Sequence, residues 1–157
     1  MAEFAFNPVQ LVEPNQNIIL DTVIPCNRGY VFHRDQSGIV ILRGIVNCPS
    51  ACFARYQVTF NGNIAIPSEG SAPAPISVAL AIDGEPVQTS RAIVNPPDTA
   101  TDPVTAEGFW NVTSTAIINV PRGCCFTVTV ENTSPLVDGI AQEILVQNAN
   151  LTVARIA

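Results

Sequence analysis

An all-β chain folded as a two-sheet antiparallel sandwich is what this sequence predicts, and three observations predict it. Long stretches alternate apolar and polar residues with a period of two, Pro and Gly punctuate them at short intervals, and no ten-residue window carries helical spacing. With 13 Pro, 9 Gly and 47% apolar residues rich in Val, Ile, Thr and Asn, the composition is that of a turn-punctuated β protein. At 157 residues the chain reads as one domain, long enough to bury roughly 70% of the surface its unfolded form exposes.

The strongest alternation runs from Cys52 to Ile66. Ala54, Tyr56, Val58, Phe60, Gly62 and Ile64 occupy one parity, while Arg55, Gln57, Thr59, Asn61 and Asn63 occupy the other. One face is therefore dry and one wet. After a Pro/Ser/Gly loop, Ile76, Val78, Leu80 and Ile82 repeat the pattern, and Asp83-Gly84 supplies a tight turn before Val87. These two stretches are expected to pair with each other.

Residues 1–16 read as an N-terminal arm preceding a domain over 17–157. Phe4 and Phe6 lie among Pro8, Glu13-Pro14 and Asn15, so the arm should dock on its own subunit or a neighbour, with an ordinary first strand as the alternative. Short strands follow over 17–23 and 29–32, split by Pro25-Cys26-Asn27. From Gly38 to Val46 both faces are apolar, Ile39, Ile41 and Ile45 on one and Val40, Leu42 and Val46 on the other. A strand dry on both sides needs two covering surfaces, and the second is expected to be another subunit. Residues 95–108 form a long irregular loop. Trp110 to Val120, Cys124 to Glu131, 144–146 and 151–156 complete eight to ten strands, with Pro121-Arg122-Gly123 turning the chain back.

Thirteen acidic residues face seven basic ones, all arginine and spread singly, for a net charge of −6. Nucleic acid and anionic membrane need clustered cations, so neither is an expected partner. The start carries no basic, then apolar, leader, and no run approaches ~18 apolar residues. Synthesis in the cytoplasm without a signal peptide is expected.

Three places in the chain resemble a known family. Asn15 to Thr22 is similar to its opening strand. Ala54 to Phe60 with Val78 to Gly84 is similar to its central strands, and Val120 to Gly123, Phe126 to Asn132 and Ala149 to Ile156 are similar to its closing ones. The family is that of the bacterial and phage relatives of the complement-head and tumour-necrosis-factor (TNF-like) jelly roll, including the C-terminal domain of collagen-like exosporium glycoproteins. The resemblance implies a ten-strand jelly roll assembling as a homotrimer with one sheet facing the three-fold axis. It places Ile39, Ile41, Ile45, Val40 and Leu42 at the trimer interface. Ala54 stands where the family often has glycine, the collagen stalk is absent, and five cysteines exceed the family's usual number.

Chemistry-bearing residues are sparse. Cys48 and Cys52 have a spacing compatible with two metal ligands, and Cys124-Cys125 could offer more, but one histidine and no second CxxC argue against a zinc site. Cys26, Cys48, Cys52, Cys124 and Cys125 are instead candidates for disulfide formation, with burial as small apolar residues the alternative. Alternation puts Cys124 inward with Phe126 and Cys125 outward. His33 reads as a structural histidine, since no nucleophile elbow accompanies it. Asp98, Asp102 and Glu107 mark a candidate ligand loop without calcium-binding spacing. Trp110, Phe109 and Tyr56 could stack on a sugar, but Trp110 lies on the apolar parity. Asn111, Asn132 and Asn150 open glycosylation sequons.

No acid, base and nucleophile come together, so an enzyme is not expected, nor is a cofactor. The expected function is a structural homotrimer on the exterior of a virion or spore: a phage capsid decoration, a fibre head or an outer-layer protein. The Met1–Gln16 arm would anchor it to a capsid or outer-layer scaffold. The alternative is a trimeric module that binds a receptor or surface glycans.

Overall fold

The computed structural model describes residues 1–24, 29–67, 74–96 and 108–157. Its strands are β1 (Ala2–Phe6), β2 (Gln10–Val12), β3 (Thr22–Ile24), β4 (Val31–His33), β5 (Val40–Arg43) and β6 (Phe53–Ala65). They continue with β7 (Ile76–Ile82), β8 (Glu85–Pro86), β9 (Ala92–Val94), β10 (Trp110–Pro121), β11 (Cys125–Asn132) and β12 (Ile144–Arg155). One sheet has the order β10-β6-β12-β1-β3, with β2 also on β12. The other has the order β4-β5-β11-β7-β8, with β9 also on β7. All pairings are antiparallel, and the architecture is a two-sheet jelly-roll sandwich.

The core is made where inward parities meet. Tyr56, Val58, Phe60 and Ile64 from β6, with Leu151 and Val153 from β12, pack toward Ile76, Val78 and Leu80 from β7 and Val128 and Val130 from β11. All are fully buried. Each such side chain contributes on the order of 1.5–3 kcal/mol by leaving water. Tyr56 also carries a polar tip into the core, where its hydroxyl donates to the Arg43 carbonyl at 2.6 Å and to the Tyr30 carbonyl at 3.3 Å.

The two long alternating stretches do not pair with each other, contrary to expectation. β6 lies between β10 and β12, whereas β7 bonds to β11, β8 and β9 in the opposite sheet. Alternation records which side of a strand is dry but not which strand lies beside it. The chain between Ala65 and Ile76 has reach to spare for the roughly 10 Å that separates packed sheets.

Within residues 1–16, β1 and β2 are strands of the sheet rather than parts of a separate arm. β1 is sandwiched between β12 and β3, with Phe4 opposite Leu151 and Val23. Phe4 is 2% exposed and stacks on the His33 ring at 5.1 Å. Its deletion would remove core, so this segment is not a free tether. His33 is buried and its Nε2 lies 2.8 Å from the Ser37 carbonyl oxygen, a structural role.

The stretch 38–46 is strand only over β5. Val40 and Leu42 point into the chain's own core, both at 0% exposure, so they are withdrawn from the subunit interface. Ile39, Ile41 and Ile45 are half-buried within the single chain. Phe32 of β4 and Thr127 of β11 stand beside Ile41 in the same sheet.

Turns behave as their residues dictate. Asp83 (φ 50) and Gly84 (φ 82) link β7 to β8, both in the left-handed conformation that a two-residue hairpin requires. Pro121-Arg122-Gly123 takes the chain from β10 in one sheet to β11 in the other, closed by Cys124 N–H donating to the Pro121 carbonyl at 3.0 Å. Beside that turn, Gly44 donates to the Cys124 carbonyl at 2.8 Å. A Cβ at residue 44 would lie 1.9 Å from the Pro121 carbonyl oxygen, so only glycine fits.

Candidate functional site

The outward parity of the β10-β6-β12-β1-β3 sheet forms a grid whose rows are read from strand register. Asn111, Asn63 and Gln147 make one row, and Thr113, Asn61, Asn150, Ala5 and Thr22 the next. Then come Thr115, Thr59, Thr152, Glu3 and Ile24, followed by Ile117, Gln57 and Ala154, and finally Asn119 with Arg55. Only Glu3 and Arg55 are ionisable. Each is tied to an asparagine, Glu3 accepting from the Asn150 amide and Arg55 Nε donating to Asn119 Oδ1 at 2.9 Å.

The polar groups of this face largely satisfy one another. Asn61 Nδ2 donates to Thr113 Oγ1 at 2.8 Å, Asn111 Nδ2 to Asn63 Oδ1 at 3.0 Å, and Thr115 Oγ1 to Thr59 Oγ1 at 3.2 Å. Side chains already bonded laterally lose less when water leaves. At the middle of the β10 edge, Ile117 is 63% exposed. A broad solvent face without free charges is unusual for a surface, because charged residues normally remain outside. Depletion of charge is one feature that the centres of subunit interfaces share.

At the end of this face, where β6 begins and β12 finishes, lies a cleft of about 560 Å³. Tyr30, Val46, Asn47, Cys48, Ala51, Phe53 and Arg155 line it. The Arg155 guanidinium stands 4.1 Å from the Tyr30 ring centroid, and Asn47 Nδ2 donates to the Tyr30 hydroxyl at 3.3 Å. Arg155 Nη1 is enclosed with no hydrogen-bond partner among the described residues. The Arg55 guanidinium lies 5.2 Å from the Phe53 ring centroid. Aromatic faces, an amide and a guanidinium are thus presented together.

Of the residues expected to matter, Cys48, Cys52, Cys124 and Cys125 are all exposed and free, and the inward placement of Cys124 is corrected. Cys124 belongs to the turn before β11, where alternation has not yet begun. Ser50 holds the Cys48 thiol below its ordinary range, first through its side chain and then through its backbone. Cys26, Asp98, Asp102 and Glu107 lie outside the described residues. Tyr56 is fully buried and cannot stack on a ligand, and Trp110 is half-buried. Asn132, at 1% exposure, is a core polar group whose amide donates to the Val12 and Gln142 carbonyls. Sequence reasoning missed Tyr30, Asn47 and Arg155, which come from separate segments. The run of amides and hydroxyls on the wet parity of β6 and β10 was the available sign of the charge-poor face.

No family model matches the sequence, and no curated protein matches it. Solved structures do. The globular domain of zebrafish complement 1qA protein aligns with a TM-score of 0.50 at 9% identity, over 96% of this chain and 94% of that one. The chain has the jelly-roll fold of that complement-head domain. Murine APRIL gives 0.48 at 11% identity over 93% of this chain and 98% of that chain. The EclA C-terminal domain, described as a sugar-binding protein, gives 0.41 at 15% over 95% and 79% respectively.

Proposed function

We propose that this protein is a non-enzymatic homotrimer, with the charge-poor β10-β6-β12-β1-β3 face turned toward the three-fold axis. The observation that carries the reading is the self-bonded grid around Thr59, Thr115 and Ile117, whose two charged members, Glu3 and Arg55, are each bonded to an asparagine. The interface assignment moves from Ile39, Ile41 and Ile45 to this sheet, because the grid is the broader face and lacks free charge. The trimer is a building block on the outside of a virion or spore, such as a capsid decoration, a fibre head or an outer-layer protein. An acidic chain without lysine supports a role away from nucleic acid. Its attachment to a capsid or outer-layer scaffold uses surface other than Met1–Gln16, whose strands are committed to the fold.

Light scattering coupled to size exclusion, with and without reductant, tests this. Three times the chain mass in both conditions is the expected result, and a single-chain mass at high concentration would overturn it. A second reading, a trimer that reads receptors or surface glycans, draws on the Tyr30, Asn47, Phe53 and Arg155 cleft. Selective signal on a glycan array, lost in Arg155→Ala, would favour it over the purely structural role.

A further inference from the structure

Four thiols stand at one end of the sandwich on two neighbouring segments. Cys48 and Cys52 lie on the connection from β5 to β6, and Cys124 and Cys125 at the turn from β10 to β11. Arg122 stitches the segments together, its backbone N–H donating to the Cys52 carbonyl at 2.9 Å and its Nη1 to the Pro49 carbonyl at 3.0 Å.

Among the described thiols, only Cys48 and Cys52 share a focus. Cys48 Sγ lies 3.0 Å from Ser50 Oγ, and Cys52 Sγ lies 4.0 Å from the Ser50 carbonyl oxygen. A turn closed by Ala51 N–H on the Cys48 carbonyl at 3.1 Å folds the segment back on itself. Such a turn brings Cys48 and Ala51 within about 7 Å and leaves Cys52 one residue beyond, so a modest shift of the chain end reaches the range a disulfide spans. Residues 44–52 belong to no strand, so the sulfurs can close the remaining gap without breaking a ladder. Cys124 and Cys125 are adjacent, and Cys125 is already paired with Arg43 in the ladder. Adjacent Cα atoms stand about 3.8 Å apart, below the roughly 4.4–6.8 Å that a disulfide usually spans, which disfavours a bond between those two.

We propose that Cys48 and Cys52 form a redox-active dithiol, Cys48 attacking and Cys52 resolving, whose disulfide closes the 48–52 loop and reshapes the cleft wall that Cys48 lines. The oxidant is a low-molecular-weight disulfide such as oxidised glutathione. The Cys48 thiolate attacks one of its sulfurs, the small S–S bond breaks, and one small thiol leaves with a proton. Cys52 then loses its proton and attacks the Cys48 sulfur, expelling the second small thiol. Two electrons pass from the protein to the small disulfide, and the protein forms one S–S bond. The Ser50 hydroxyl, placed to donate to the Cys48 sulfur, favours thiolate there, which sets the order of attack.

The arginine spacing makes the test direct. Trypsin releases a 44–55 peptide holding Cys48 and Cys52 alone, apart from the 123–155 peptide with Cys124 and Cys125 and the peptide ending at Arg28 with Cys26. The folded full chain is treated with oxidised glutathione, blocked with an alkylating agent, digested and weighed. The 44–55 peptide should appear unalkylated, two hydrogens lighter than its reduced form and joined to nothing. Cys52→Ser should retain glutathione on Cys48, and Cys48→Ser should leave Cys52 open to alkylation. Three results would overturn the proposal: alkylated Cys48 and Cys52 after Cys124 and Cys125 have oxidised, linkage of 44–55 to another peptide or chain, or Cys52 taking the adduct in Cys48→Ser as fast as Cys48 does in the wild type. Far-ultraviolet circular dichroism matching the wild type establishes that both variants are folded, and none of these readouts depends on trimer formation.

Discussion

Replacing Ile117 by arginine is the sharpest probe of the charge-poor face. The residue pairs with Gln57, which pairs in turn with Ala154, so it stands in a row without any charge. Full burial of an isoleucine side chain is worth about 1.5–3 kcal/mol. Hiding the 63% still exposed in the single chain would then contribute roughly 1–2 kcal/mol per subunit, or about 3–6 kcal/mol over three copies. With ~1.4 kcal/mol per tenfold, Ile117→Arg should weaken trimer assembly by about two to four powers of ten. Desolvating three unpartnered guanidiniums adds to that loss. Folding of the single chain should change little, within about 0.5 kcal/mol, because the site is largely in water there. Sedimentation velocity over a dilution series, beside urea unfolding of both proteins, separates the two effects. Identical dissociation curves for variant and wild type would refute the placement of this face at the axis.

Other substitutions test the remaining links. Tyr56→Phe removes the hydroxyl that serves two backbone carbonyls, and urea unfolding should show a loss of about 1–2 kcal/mol with the fold kept. Gly44→Ala puts a Cβ 1.9 Å from the Pro121 carbonyl oxygen. Its cost should exceed the usual ~1 kcal/mol of a point mutant and appear as a clear drop in melting temperature. Burial raises the Glu131 carboxyl above its ordinary range, and the Glu85 carboxylate adds to this while the Thr129 hydroxyl opposes it. A raised folded-state value means that ionisation disfavours the fold. The wild type should therefore lose stability relative to Glu131→Gln as pH rises upward from about 4, the ordinary carboxylate value, and level off above the raised one. Melting temperatures of the two proteins across that range check the sign.

Much of the sandwich is legible in the chain because a strand with one dry face must alternate, and β6, β10 and β11 all do. Turns were legible for a similar local reason, since Asp83-Gly84 and Pro121-Arg122-Gly123 carry their conformations in their own residues. The cleft was not legible. Tyr30, Asn47 and Arg155 are brought together only when the connection from β5 reaches the end of β12. The Cys124 misplacement has a local cause as well, because parity has no meaning until the backbone enters the ladder at β11.

By itself the sequence determined the layers, the side of each long strand that is dry, and the absence of clustered positive charge, because these depend on the order and type of neighbouring residues. Tertiary structure alone decided that β6 and β7 lie in opposite sheets rather than pair, that Val40, Leu42 and Phe4 lie within one chain's core, and that amides and hydroxyls from β10, β6, β12 and β3 share one charge-poor face. Hydrogen bonds between strands are made by backbone groups that every residue carries, so side-chain pattern cannot choose the partner; packing of the whole chain does.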